Sequence, residues 1–66
     1  MLKQYIGKEI QLFPIDTYEK FGTLLGANEN GILVKITKAD KRDDLYKVGD
    51  THFIAYSAKL TFKIID

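Results

Sequence analysis

Three residues of the chain have the types of a catalytic triad, in which a carboxylate, an imidazole and a hydroxyl cooperate in acyl transfer. They are Asp50, His52 and Ser57. Asp50 and His52 lie two positions apart in a segment rich in β-forming residues, so both side chains are expected on the same face of a strand. No segment supplies an evident oxyanion hole, which this chemistry requires. We therefore predict that the protein is not an enzyme.

Two further spacings resemble ligand sites but lack the key residues. Gly26 and Gly31 have the spacing of a P-loop, but apolar residues follow where lysine and a hydroxyl residue would hold phosphate and Mg²⁺. Asp43-Asp44 is a carboxylate pair in a charged loop, where such pairs are typical of solvated turns. One histidine and no cysteine leave a transition metal short of ligands. We therefore predict neither a cofactor nor a bound metal.

The composition is that of a small globular chain. Its 66 residues are 45% hydrophobic and 29% charged, and they predict a single domain over 1–66. Ten basic residues against nine acidic ones give a net charge of +1, far from the excess of a strongly basic nucleic-acid protein. The apolar runs are far too short to cross a membrane, and the first residues do not resemble a secretion signal. We therefore expect a cytoplasmic protein with no membrane partner.

A chain of this size has a marginal core. It buries only about 60% of the surface that its unfolded form exposes. Without disulfides or a metal, assembly with further copies is the remaining common way to bury more surface. The length alone therefore favours self-association.

The apolar residues recur at every second position, as in β-strands with one buried face. The alternating sets are Ile10 and Leu12, then Ile32, Val34 and Ile36, then Leu60, Phe62 and Ile64. Phe21 to Ala27 and Thr51 to Tyr56 are two more β-rich segments. Gly22 and Gly26 predict a sharp bend or a close backbone approach. The pattern predicts an all-β fold of five strands that bend to enclose a core.

The connections carry turn signals. Asn30-Gly31 lies between two apolar runs and predicts a type I′ hairpin, which needs positive φ at both central residues. Ser57-Ala58 predicts a tight corner, and Met1 to Ile6 predicts a single helical turn that ends at Gly7. Ala39 to Asp50 is a loop of mixed charge, and its apolar residues are expected to extend the flanking strands. Those residues are Leu45, Tyr46 and Val48.

Two stretches carry a family resemblance. Gly7 to Leu12, Phe21 to Glu29 and Ile32 to Lys35 follow one another as a glycine, an apolar strand, a variable turn, Gly-x-Leu and a further apolar strand. This order resembles the first sequence motif of Sm-like proteins. Phe53 to Ile64 resembles the second motif, with a short strand, a tight corner and a last strand, and Ala55 to Ser57 is similar to the bacterial Hfq branch.

The resemblance implies an Sm-like fold, a strongly bent, five-stranded antiparallel small β-barrel behind a short N-terminal helical turn. It also implies a homo-oligomeric ring, in which the fourth strand, Thr51 to Tyr56, pairs with the fifth strand, Lys59 to Ile65, of the next copy. The pore of such a ring binds single-stranded RNA. The expected function is non-enzymatic RNA binding in RNA processing or regulation.

The same resemblance implies an RNA site. Its expected members are Asn28 and Asn30 as hydrogen-bonding groups, Tyr56 or His52 as a stacking surface, Ser57 at the corner, and Lys59 or Lys63 as a phosphate partner. Three features depart from the family pattern. Asn28 stands at its acidic position, and Tyr56-Ser57 or Ala55-Tyr56 replaces its Arg-Gly pair. The family's uracil-reading Asn would fall near Gly31 or Ile32, where the sequence has no amide side chain.

These departures and the near-neutral charge leave two alternatives open. One is a structural or adaptor ring that binds protein partners and no RNA. The other is a monomeric barrel that binds a peptide.

Overall fold

The computed structural model describes residues 2–13, 18–58 and 61–65. The described strands are β1 (Glu9–Phe13), β2 (Lys20–Ala27), β3 (Gly31–Ala39), β4 (Thr51–Ala55) and β5 (Thr61–Ile64). They form one antiparallel sheet in the order β4-β3-β2-β1-β5. The all-β prediction is therefore confirmed, and each predicted β segment contains one strand. Within the described residues the sheet is not closed, because β4 and β5 form its two edges.

One face of the sheet carries the core. Alternate residues of β1 to β4 are buried there, as the spacing predicts. They are Ile10, Leu12, Leu24, Ile32, Val34, Ile36 and Ile54. Phe62 and Ile64 of β5 are partly buried against this cluster, whereas Leu60 lies outside the described residues.

Gly22 marks the close approach that the sequence predicts. A Cβ atom there would collide with Val34 Cγ1 and lie 2.7 Å from the carbonyl oxygen of Lys35. Gly26 differs, because a Cβ atom would meet only Leu33 Cβ, at 3.9 Å. The register of β2 against β3 shifts between Leu24 and Gly26, so this second glycine lies beside a β-bulge and not at a tight contact.

The predicted N-terminal turn is confirmed as a 3-10 helix, Leu2–Tyr5. Gly7 follows with φ of +91°, a conformation that glycine adopts without steric cost. Its N–H donates to the carbonyl of Leu24, 2.7 Å away, which fastens the turn to β2. None of the helices in the described part of the chain has the length and apolar character needed to cross a membrane.

Residues 40–50 form an irregular loop. The prediction that its apolar residues extend β3 and β4 is wrong, since β3 ends at Ala39 and β4 begins at Thr51. Leu45 and Val48 are exposed, while Tyr46 packs against the core cluster. The physical reason is a polar anchor beneath the loop, which holds it in a path unsuited to strand pairing.

The anchor is a buried ion pair. Lys20 and Asp43 are 1% and 3% exposed, and Lys20 Nζ lies 3.1 Å from Asp43 Oδ2. Lys20 Nζ also donates to the carbonyl of Tyr18 at 2.6 Å and lies 4.7 Å from the centroid of the Tyr46 ring. Asp43 Oδ1 accepts the N–H groups of Leu45 and Tyr46 at 3.1 and 3.0 Å. The expectation that Asp43 is a solvated turn residue is therefore wrong.

Burial and hydrogen bonds act in opposite directions on the protonation of Asp43. Burial by itself raises the pKa of this carboxyl, but the Tyr46 N–H, the Lys20 ammonium and the Leu45 N–H together lower it below its usual value. Arg42 does not share this role, because its guanidinium makes two side-chain hydrogen bonds to Asp40, at 3.0 and 2.9 Å.

The two sheet edges present different backbone groups. Ile36 N–H donates to the carbonyl of Asp50 at 2.8 Å, and Ile65 N–H donates to that of Glu9 at 3.1 Å. Hydrogen-bonded pairs alternate along antiparallel strands, so these two bonds show which backbone N–H and C=O groups of β4 and β5 point toward the neighbouring strand. The backbone groups directed at the free edges belong to Thr51, Phe53 and Ala55 of β4 and to Phe62 and Ile64 of β5.

The Gly22 contact predicts that substitution by alanine lowers the free energy of unfolding more at Gly22 than at Gly26 of the same strand. Gly22→Ala is expected to lower the free energy of unfolding by about 1 to 3 kcal/mol, because backbone must move to admit the methyl group. Gly26→Ala is expected to change it by less than about 1 kcal/mol, since the added methyl makes an ordinary contact. Urea denaturation at equal protein concentrations measures both. Equal losses in the two variants would contradict the close approach.

The buried ion pair predicts acid sensitivity. The lowered pKa of Asp43 means that its contribution to stability is present above about pH 4 and is lost as the pH falls through the folded-state pKa. The double variant Lys20→Met/Asp43→Asn removes both charges and keeps an acceptor for the loop N–H groups. We expect its free energy of unfolding to fall less steeply as the pH decreases below about 4 than that of the wild type.

The matched control is Asp44→Asn, at an exposed neighbour in the same loop. It is expected to keep the wild-type pH dependence. The same decline in the double variant as in the wild type would rule out this role for the pair.

Candidate nucleic-acid interface

The β2–β3 connection is closed by an asparagine side chain. Asn28 Oδ1 accepts the backbone N–H groups of Asn30 at 2.7 Å and of Gly31 at 3.1 Å. The Asn28 N–H in turn donates to the carbonyl of Gly31 at 3.0 Å. We call residues 28–30 the asparagine turn.

The type I′ prediction for this connection is wrong. Gly31 does not have positive φ, and it is the first residue of β3. Glycine is required at position 31 for a different reason. A Cβ atom there would collide with the carbonyl oxygen of Ile54 and lie 2.9 Å from Ala55 Cα, so glycine permits the close approach of β3 and β4.

The predicted corner is confirmed as a 3-10 turn, Tyr56–Ala58. The N–H of Tyr56 donates to the carbonyl of Asn30 at 2.9 Å, which ties the corner to the asparagine turn. Tyr56 and Ser57 are both exposed. The structure therefore brings together four of the predicted site residues, Asn28, Asn30, Tyr56 and Ser57, at one end of the sheet.

His52 and Lys59 do not join this group in the structure. His52 pairs with Val34 in the middle of the sheet, and about 10 Å of strand separates it from Ala55. Its ring is partly buried, with its centroid 4.5 Å from that of Tyr46. Lys59 lies outside the described residues.

The residues of the hypothetical triad are also separated. His52 Nε2 lies 3.9 Å from Asp50 Oδ2, beyond hydrogen-bond distance, and Ser57 lies past the far end of β4. Among residues 2–13, 18–58 and 61–65, no group of three or more His, Cys, Asp or Glu side chains could hold a metal ion.

An apolar cleft that is absent from the predicted site adjoins the asparagine turn. The cleft has a volume of about 230 Å³ and is lined by Gly26, Ala27, Asn28, Leu33 and Phe53. Leu33 and Phe53 are cross-strand partners on the face opposite the core, where they are 38% and 53% exposed. We call this the Phe53 cleft. The available signal was that the strand alternation puts Leu33, an apolar residue, on the solvent face.

The interface has few charges. Glu29 is the charged residue of the asparagine turn, and none of the residues that line the Phe53 cleft is charged. Its chemistry is therefore that of amide hydrogen bonds, a phenol and exposed apolar surface. These groups suit planar, neutral ligands better than phosphate, which needs cationic partners.

The chain matches no family model, and no curated protein or solved structure is significantly similar to it.

The hydrogen bonds of the asparagine turn predict that the Asn28 side chain stabilises the fold. Asn28→Ala removes the acceptor of two backbone N–H groups and is expected to lower the free energy of unfolding by about 1 kcal/mol. Asn28→Asp keeps a side-chain acceptor and is expected to retain the wild-type value. Thermal or urea denaturation of the two variants measures the difference. Equal stabilities would show that the two hydrogen bonds contribute nothing.

Proposed function

We propose that the chain is an Sm-like protein that assembles into a homo-oligomeric ring and binds single-stranded RNA without catalysing a reaction. The RNA contacts the asparagine turn and the Tyr56–Ala58 corner. Bases stack on exposed rings, and amide groups bond to their edges. The protein acts by holding RNA, as in RNA processing or regulation.

One observation carries the proposal. The hydrogen bond from Tyr56 N–H to the carbonyl of Asn30 joins the β2–β3 connection to the β4–β5 corner. In Sm-like proteins, to which the sequence shows a resemblance, these two connections bind the bases. Four of the expected residues meet here although they come from separate parts of the chain.

The sheet edges support the ring. β4 and β5 are the two edge strands, and they have five and four residues. Unpaired edges readily accept a further strand, and a small chain gains buried surface when they do. Pairing β4 of one copy with β5 of the next uses both edges in every copy and closes if the rotation between copies permits.

The direct test is binding of labelled oligouridylate and oligoadenylate at low salt, together with the solution mass. We expect binding at micromolar protein and the mass of an oligomer, several times 7.6 kDa. The near-neutral charge predicts that salt weakens binding only slightly, since few phosphates are neutralised. No binding of either oligonucleotide at high micromolar protein would refute RNA binding.

An edge variant tests whether the ring is required. The backbone N–H of Phe53 faces the free edge of β4, so Phe53→Pro removes a donor to a second copy without breaking a bond of the sheet. We expect a mass near 7.6 kDa and RNA binding weaker than that of Phe53→Ala, which lacks the same ring. Phe53→Ala keeps the N–H and is the control for assembly, with an unchanged mass. An oligomer in the proline variant would contradict pairing through β4.

A second candidate function is an adaptor ring that binds protein partners and no RNA. The observation that favours it is the net charge of +1, which gives RNA little long-range attraction. Purified protein that carries a polypeptide and shows no excess absorbance at 260 nm would support this function over the first.

A further inference from the structure

We infer that the Phe53 cleft is a base-binding site, in which one base of single-stranded RNA stacks on the Phe53 ring and accepts a hydrogen bond from Asn28 Nδ2. This inference rests on the proposed function and adds a named site to it. The site lies on the sheet face opposite the core, beside the asparagine turn. Four observations support it.

The first is the exposure of an aromatic ring. Phe53 is 53% exposed on the solvent face of an edge strand, next to Leu33. A Cβ atom on Gly31 would lie 2.9 Å from Phe53 Cζ, so the ring extends over Gly31 toward the asparagine turn. An exposed aromatic face in this position is a stacking surface for a base.

The second is the side-chain amide of Asn28, a hydrogen-bond donor. The Asn28 side-chain atom that accepts two backbone N–H groups must be the oxygen, which leaves the Nδ2 group as the donor. No described residue accepts a hydrogen bond from it. The two hydrogen bonds that Asn28 Oδ1 accepts fix the orientation of this amide, and Asn28 lines the cleft, so we expect its Nδ2 group to lie beside a base in the cleft. Ring nitrogens and carbonyl oxygens of bases are acceptors for such a donor.

The third is charge. The cleft is lined by uncharged residues, so it has no cation to attract a phosphate. A neutral planar base fits this environment, with the sugar and phosphate remaining in solvent.

The fourth is continuity with the candidate interface. Asn28 belongs both to the cleft and to the asparagine turn, so one RNA strand can reach both.

Two variants on different strands test the site. Phe53→Leu keeps an apolar residue and removes the stacking ring. Gly26→Val fills the cleft from β2, at a position where an added Cβ makes only an ordinary contact with Leu33. Each is expected to weaken oligouridylate or oligoadenylate binding by about 5-fold or more, as loss of one stacked base does. The solution mass is expected to stay at the wild-type value.

The matched control is Phe13→Leu. Phe13 is also an exposed aromatic residue, on β1, and it does not line the cleft. This variant is expected to bind RNA as the wild type does. NMR titration with uridine or adenosine adds a direct reading. The resonances of Gly26, Leu33 and the Asn28 side-chain amide are expected to shift, and the Phe53 ring protons are expected to move upfield.

The outcomes separate this inference from the proposed function. Wild-type affinity in both cleft variants, with RNA binding intact, would overturn the base site and leave the proposed function standing. Absence of RNA binding in the wild type would overturn both. A copurified polypeptide that Gly26→Val releases, with RNA affinity unaltered, would assign the cleft to a protein partner and overturn the base site.

Discussion

The sheet depends on two places where neighbouring strands come too close for a side chain. At Gly22 the backbone of β2 lies against Val34 and Lys35 of β3. At Gly31 the start of β3 lies against Ile54 and Ala55 of β4. These contacts fix the relative positions of three strands. The first brings β2 against the buried side of β3, and the second puts the Phe53 ring and the Tyr56 corner beside the asparagine turn.

The candidate interface is thus a product of backbone packing. Asn28 orients the turn through two backbone N–H groups, and the turn holds the corner through the carbonyl of Asn30. Few side chains are needed for this scaffold, which leaves Asn30, Tyr56 and Ser57 exposed. A rigid platform with available polar groups and rings is suited to binding, because little conformational freedom is lost when a ligand arrives.

The strands could be predicted from the sequence because alternation of apolar residues reports directly on burial. Ile32, Val34 and Ile36 show this most plainly. The role of Gly31 could not be predicted, since Asn-Gly has the same appearance whether the glycine supplies positive φ or a close approach. Burial of Asp43 could not be predicted either, because its partner Lys20 is distant in sequence and only the folded chain brings the two charges together.

The candidate site was predicted in part for a similar reason. The residues of the turn and the corner belong to local signals, so their elements were evident before the structure. The Phe53 cleft depends on the pairing of Leu33 with Phe53, which is a matter of register between strands. His52 was expected in the RNA site, but the same register pairs it with Val34, and its ring lies near that of Tyr46.

The buried ion pair between Lys20 and Asp43 has a consequence for how the molecule opens. It joins the middle of a long surface connection to the first residue of β2. Loosening the connection would leave a lysine ammonium buried without its counterion, which is strongly unfavourable. The loop therefore cannot fray independently, as surface loops commonly do, and it belongs to the same cooperative unit as the strands. Proteolytic cleavage of this loop therefore requires a much larger unfolding event, even though Leu45 and Val48 are exposed.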